Sequence, residues 1–272
     1  DFSVQVNRGS GNAGIHAIQI VGTVIPEVKL IDVIHDAVAD TTELVWESVP
    51  GQVFEIAKSL DLRGDPAMWP RILTGIQAGP GETTSLVVDV AAAEAEAFYK
   101  VFQIPAPPLF EDDFETDTGW VAIVNDALGN TNWERGSPNG TTGPLTGADG
   151  SANAWSTNLG DFGVDSDISL RSPAVDLTSV AAAELTFEAF RDGDGFGEFA
   201  SVRFLRASDL LLLGEEVAID MTFFDAGWVS QTVPVVVEAI GESVVIEFNF
   251  ISDSSPDAFS GLSIDNVRMA SP

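Results

Sequence analysis

The sequence predicts an all-β protein built as two β-sandwiches in tandem, and three observations carry that prediction. Short runs of alternating apolar and polar residues recur along the chain with almost no helical periodicity. A Pro-rich stretch, PAPPL at 105–109, divides these runs into two groups. The later group is framed by two acid-bearing stretches, FEDDFETDTGW (Phe110–Trp120) and GLSIDNVRM (Gly261–Met269). Each reads as a strand. Side by side they would bring at least three carboxylates to one end of a sandwich, an arrangement that calls for a hard cation.

Residues 1–25 read as a strand hairpin. Phe2, Val4 and Val6 alternate with polar residues, NRGSGNAG supplies turn chemistry, and IHAIQIV (Ile15–Val21) follows. A lone hairpin is marginal in water, so this one is expected to be the remnant of an upstream sandwich or an exchange strand. A low-charge strand of this kind suits pairing with a sheet edge, and docking onto a neighbouring copy would give a head-to-tail homo-oligomer. The chain opens directly on DFSVQV, with no basic segment leading into an apolar one, which suggests a processed or excised piece of something longer.

Residues 26–104 form the next unit. KLIDVI, ELVWES, QVFEIAKS, TSLVVDV and FYKVFQI are spaced as short strands between Pro, Gly and Asp turns, with Trp46 and Trp69 as core anchors. AAAEAEA (Ala91–Ala97) has high helix propensity but is long enough for two turns at most. Trp46, Pro50-Gly51, Trp69 and the Phe98–Val101 strand resemble a fibronectin type III sandwich, from which the chain departs in lacking a clear final strand after FYKVFQI. Residues 105–109 are the linker, and three Pro in four residues make it a stiff, extended spacer. Residues 110–272 hold at least eight strand-like runs, among them WVAIV, ISLRSPAVDL, AELTFEAFR, ASVRFLRAS, WVSQTVPVV and SVVIEFNFIS, and a Gly129–Gly150 loop too long to be a plain turn. That pattern predicts a two-sheet antiparallel jelly roll.

Charge narrows the partners. The chain carries 42 acids against 12 bases, and residues 109–272 alone hold 28 acids and six Arg. Such a surface repels nucleic acid and anionic lipid, so neither nucleic-acid binding nor membrane insertion is expected. It suits calcium, a saline environment, or simply solubility. There is no Cys, so disulfides, thiolate metal sites and Cys nucleophiles are excluded, and oxygen-ligated metal is the cross-link left open.

DDFETDTGW, WERGSPNG, AWSTNLG, LRSPAVDLT, AELTFEAF, GEFASVRF and GLSIDNVRM, in that order, resemble the MAM-type (meprin-like) jelly-roll family in a cysteine-free bacterial form. The resemblance implies a non-catalytic module of secreted proteases, other hydrolases or adhesins, with a structural Ca2+ between the first and last strands. Carried over by position, Asp113, Glu115 and Asp265 are its ligands, with Asn153 and Asp149 as further candidates. The alternative is that Asp113 and Glu115 cap a sheet edge and stay hydrated.

No other motif carries chemistry. RDGDGFGE (Arg191–Glu198) invites an EF-hand reading, but with Asp192 at position 1 the twelfth position is Arg203 where a bidentate Glu is needed; it reads as a Gly-rich hairpin tip. DFGVDSD (Asp161–Asp167) reads as a solvated acidic turn. Neither GxSxG nor HExxH occurs, and His16 and His35 read as ordinary strand residues. Trp133 and Trp155, beside the long loop, and Trp120 read as core or loop-pinning residues, while an exposed, coplanar Trp pair would signal sugar binding. The expected function is a non-catalytic extracellular structural or interaction region of a larger secreted or cell-surface bacterial protein, self-assembling if its N-terminal strand docks onto a neighbouring copy and monomeric if that strand folds back onto the fibronectin-like unit. The alternative is a carbohydrate-binding accessory region of a secreted hydrolase. Partners are accordingly protein (self or another surface protein) or carbohydrate.

Overall fold

The computed structural model describes residues 28–36, 41–89, 97–222, 224–256 and 258–271, the side chains of His35, Asp36 and Asp89 excepted. The predicted N-terminal hairpin, His16 and most of AAAEAEA lie outside the described residues. Those described are all-β, with only short 3-10 turns besides strands, and form sandwiches in tandem. None of their helices is long and apolar enough to cross a membrane.

The first sandwich pairs two three-stranded sheets. β1 (Leu30–Asp36), β2 (Thr41–Glu47) and β5 (Thr83–Asp89) form one, with β2 in the middle. β4 (Arg71–Gln77), β3 (Val53–Ser59) and β6 (Phe98–Ile104) form the other around β3. The period-2 pattern of β2 sends Thr42, Leu44 and Trp46 inward. There they meet Phe54, Ile56, Val88 and Val101 in a small core, with Trp46 edge-on to Phe54 at 5.5 Å. The outer edge of β6 has no strand partner among the described residues.

β7 (Phe110–Asp112) opens the second unit and pairs with the end of β18 (Gly261–Ala270), so the two framing stretches do lie side by side. β16 (Val229–Pro234), β13 (Glu184–Asp192), β18, β10 (Ala154–Thr157) and β9 (Trp133–Gly136) follow one another across this sheet. The facing sheet runs β15 (Val217–Ile219), β14 (Phe199–Arg206), β17 (Ser243–Ile251), β11 (Asp167–Arg171) and β8 (Val121–Val124), with β12 (Val175–Asp176) beside the start of β17. Leu185, Phe187 and Ala189 from β13 meet Val244, Ile246, Phe248 and Phe250 from β17 between the sheets, Phe187 lying edge-on to Phe248 at 5.0 Å. Trp120, Trp133 and Trp155 belong to this core.

On the outward face of the second sheet, Glu247 is almost fully buried because Arg171 and Arg203 close over it from the flanking strands, at 2.6 and 3.3 Å. Arg203 also reaches Glu216 at 2.7 Å. A buried carboxylate persists only with such partners.

FEDDFETDTGW is a strand only over Phe110–Asp112. Phe114 then turns into the left-handed region at φ 57° while its ring is fully buried against Trp120. Asp112, which the predicted ligand set omits, holds this strained turn. One carboxylate oxygen accepts from Phe114 N at 2.9 Å, and the other accepts from Trp120 Nε1 at 2.8 Å and from the Thr118 hydroxyl.

The long loop continues to residue 153 as a strap over the outward face of the first sheet. That face carries Phe190 and Asp192 on β13 and Ser263 and Asp265 on β18, all buried. Asp192 clasps one part of the strap: its Oδ2 accepts from the Thr142 hydroxyl and from Ser260 N and Oγ.

Candidate functional site

Asp265 clasps the other part of the strap and is fully buried. Its Oδ2 accepts from Ala148 N at 2.8 Å and Ser151 Oγ at 2.9 Å, and its Oδ1 from Asn266 N at 2.7 Å. Burial pushes the Asp265 carboxyl above the usual range against the pull of these donors, and the charge of Glu115 adds to the rise. Glu115 itself accepts from Ala152 N, Asn153 N and Asn153 Nδ2. Glu115, Asn153 and Asp265 therefore share one loop.

Asp113 and Asp149 do not complete that group. Asp113 accepts from Glu115 N and lines a separate polar cleft with Thr116, Thr118, Asn266 and Arg268. Asp149 is exposed, in left-handed backbone at φ 53°. Among the described residues no three acids or His gather as a metal-ligating group. A reduced oxygen set does exist around Gly147. A Cβ there would sit 2.0 Å from Ser151 Oγ, 2.5 Å from the Asn153 carbonyl oxygen and 2.7 Å from Asp265 Oδ2. These oxygens and the Glu115 carboxylate are hard donors of the kind calcium takes, and both carboxylates already accept hydrogen bonds from within the protein.

The other feature lies at the end of this sandwich where chain crosses between its sheets. Phe196, Phe224 and Phe199 are 89%, 78% and 64% exposed there, and Ile251, cross-strand from Phe199, is 37% exposed. DGDGFGE (Asp192–Glu198) makes the tip that carries Phe196. Asp194 Oδ1 accepts from Phe196 N at 2.8 Å, and Gly195 adopts φ 82°. Gly197 is pressed so close to Asp253 that a Cβ would fall 2.2 Å from its Oδ2. The glycines thus serve a tight turn that points Phe196 outward, but TFEAF and ASVRF lie in opposite sheets, so the stretch is a crossing between sheets and not the hairpin tip that the sequence suggested. Gly195 abuts Thr222, which brings the tip beside the turn holding Phe224. That turn is pinned by Arg191, whose Nε and second guanidinium nitrogen grip Asp225 at 2.8 and 2.9 Å and which also donates to the Asp220 carbonyl.

Tryptophan provides no such platform. Five of the six are buried; the half-buried sixth, Trp228, packs edge-on to Phe190 and donates to the Thr146 carbonyl. The exposed rings belong to Phe, which the sequence analysis did not single out. Their signal was the run TFFDAGW and the Gly-flanked Phe196, where an aromatic sits in turn chemistry without an alternating strand around it.

Glu198 lies beneath the tip and accepts from Asp194 N at 3.2 Å. Burial pushes its carboxyl up to about 6, with the charge of Asp194 adding to the shift. The folded state therefore holds this proton more tightly than the unfolded state does. Glu198 is neutral and harmless at low pH and weakens the fold as pH rises from 4.5 through about 6. Asp126 has the opposite sign: hydrogen bonds from Gly129 N, Asp167 N and Leu128 N hold it below the usual carboxylate range, so its contribution is lost only in stronger acid. The melting temperature of the second sandwich is expected to fall as pH rises from 4.5 through about 6, and Glu198→Gln to flatten that fall. An unchanged slope in the variant contradicts the assignment.

No family model matches this chain, and no curated protein matches it. Solved structures do resemble it. The K1 cleaved adhesin domain of Lys-gingipain from Porphyromonas gingivalis W83 is 22% identical at a TM-score of 0.40, over 60% of this chain and 98% of that one. The carbohydrate-binding module CBM6cm-2 of Cellvibrio mixtus lichenase 5A, in complex with cellotriose, is 13% identical at a TM-score of 0.35, over 61% and 99%. The CBM22-1–CBM22-2 tandem domain of Paenibacillus barcinonensis Xyn10C is 16% identical at a TM-score of 0.39, over 86% and 79%.

Proposed function

We propose that this chain is a non-catalytic carbohydrate-binding or adhesive region of a secreted or cell-surface protein, a fibronectin type III-like sandwich followed by a MAM-like jelly roll. One observation carries the reading: three phenylalanine rings stand in solvent at one end of this sandwich, Phe199 at the start of β14 and Phe196 and Phe224 on adjoining loops held by glycines, an Asx turn and the Arg191–Asp225 clamp. Exposing large apolar side chains on built loops is unfavourable unless a partner covers them. The CH-rich faces of sugar rings match flat aromatic surfaces. This favours the carbohydrate-binding alternative over a plain spacer, which has no use for such rings. The test is retention on a panel of insoluble polysaccharides: the wild-type chain is expected to be held by at least one, and failure to bind any of them rejects the carbohydrate reading.

Calcium belongs to the same proposal as a structural ion held by Asp265, Glu115, the Asn153 carbonyl and Ser151. An ion bound only by the folded state stabilises it by about 2.7 kcal/mol at one hundred times its dissociation constant. Chelation is therefore expected to lower the melting temperature of the second sandwich, and a melting curve indifferent to calcium contradicts the site.

A further inference from the structure

Granting the carbohydrate-binding reading, we infer that the exposed phenylalanine surface at 193–199, 220–222 and 224–225 selects a polysaccharide bearing free amino groups, a polyglucosamine, over neutral or anionic glycans. The inference deepens that reading and rests on it.

Among the described residues, the charge exposed beside the rings is of one sign. Asp194, which builds the turn under Phe196, is exposed, as are Asp253 against Gly197 and Asp220 at the start of the Phe224 turn. The cation among these loops is Arg191, and it is spent on Asp225 and the Asp220 carbonyl. Arg171, Arg203 and Arg206 are ion-paired on the other sheet, and Arg268 lies in the cleft beside β7. A uronate or sulfated chain stacked on Phe196 and Phe224 would meet carboxylates and no free guanidinium. A neutral chain would cover those carboxylates and offer only hydroxyls in place of water. A chain of protonated amino sugars lays its ring faces on the aromatic rings and its ammonium groups against Asp194 and Asp253. Such exposed pairs act within a Debye length of about 8 Å at physiological salt, so only amines on the stacked residues or their neighbours contribute. Stacking supplies position and charge supplies selectivity.

The experiment is calorimetric titration of the whole chain with a glucosamine hexamer, its fully N-acetylated counterpart, a polygalacturonate and an oligolysine, at a pH where the sugar amines are protonated. The expected result is about tenfold tighter binding of the free-amine hexamer than of the acetylated one. That advantage should vanish in Asp194→Asn/Asp253→Asn, in which each Asn retains the oxygen that accepts from the backbone. Equal binding of the two hexamers, or tighter binding of polygalacturonate, overturns the inference and leaves the carbohydrate reading standing. Binding of no glycan overturns that reading, and the inference with it. Oligolysine binding as tight as the free-amine hexamer, and insensitive to Phe196→Ala/Phe224→Ala, also overturns the inference, because the surface is then a docking site for cationic chains of any kind.

Discussion

Asp265→Ala is expected to lower the stability of the second sandwich by about 3 kcal/mol, since each buried donor left unpaired costs roughly 1–3 kcal/mol. Three donors converge on this carboxylate, from Ala148, Ser151 and Asn266, and the side chain is fully buried. Truncation strands all three and releases the strap. The rise in the Asp265 carboxyl's pKa shows that its charge is itself unfavourably placed, so part of the loss is returned when the charge goes. Asp265→Asn therefore separates the two contributions: it can still accept at Oδ1 and is expected to be the milder change. With calcium bound, both variants lose the ion's contribution as well. Thermal melting with and without calcium, with limited proteolysis across 137–153, measures the effect. An Ala variant as stable as wild type, its strap equally protected, contradicts the clasp.

Trp46→Ala is expected to unfold the first sandwich and leave the second intact. Trp46 is wholly buried in a cluster of six buried hydrophobic residues among those described. Losing a large buried aromatic costs about 3–5 kcal/mol, comparable to the whole stability of so small a unit. The cluster containing Trp46 and the cluster containing Phe248 are separate. The wild type should accordingly melt in two transitions, of which the variant keeps one. A single cooperative transition that shifts as a whole would mean that the sandwiches fold as one body.

Much of this architecture was legible because alternation is a backbone property. β2 and the first half of β13 follow the alternation, whereas β17 is buried on both faces, Glu247 and Asn249 included. β4 was not legible: RILTGIQ carries Gly75 in the left-handed region and exposes Ile72 and Leu73 on opposite sides, which erases the period. β15 is three residues long, too short for a period to show, and is held by pairing with β14 and by Ile219 in the core. The acid-rich start shows the limit at the site. Asp112, Asp113 and Glu115 look equivalent in a string, but the left-handed turn at Phe114 sends one inward, one to a cleft and one to the strap. Asp265 was legible in its placement because β18 is regular up to its bulge and sets it opposite Glu188. Phe196 and Phe224 were not, since hydrophobicity alone assigns a phenylalanine to the core and only the turn geometry around these two denies them one.

The most direct measurement is the affinity of Phe196→Ala/Phe224→Ala for a polysaccharide that the wild-type chain binds. Both side chains are exposed, so the variant should melt as wild type does. The account predicts at least about a tenfold loss of affinity, the equivalent of 1.4 kcal/mol. Unchanged affinity would place sugar binding elsewhere on the molecule and contradict the account.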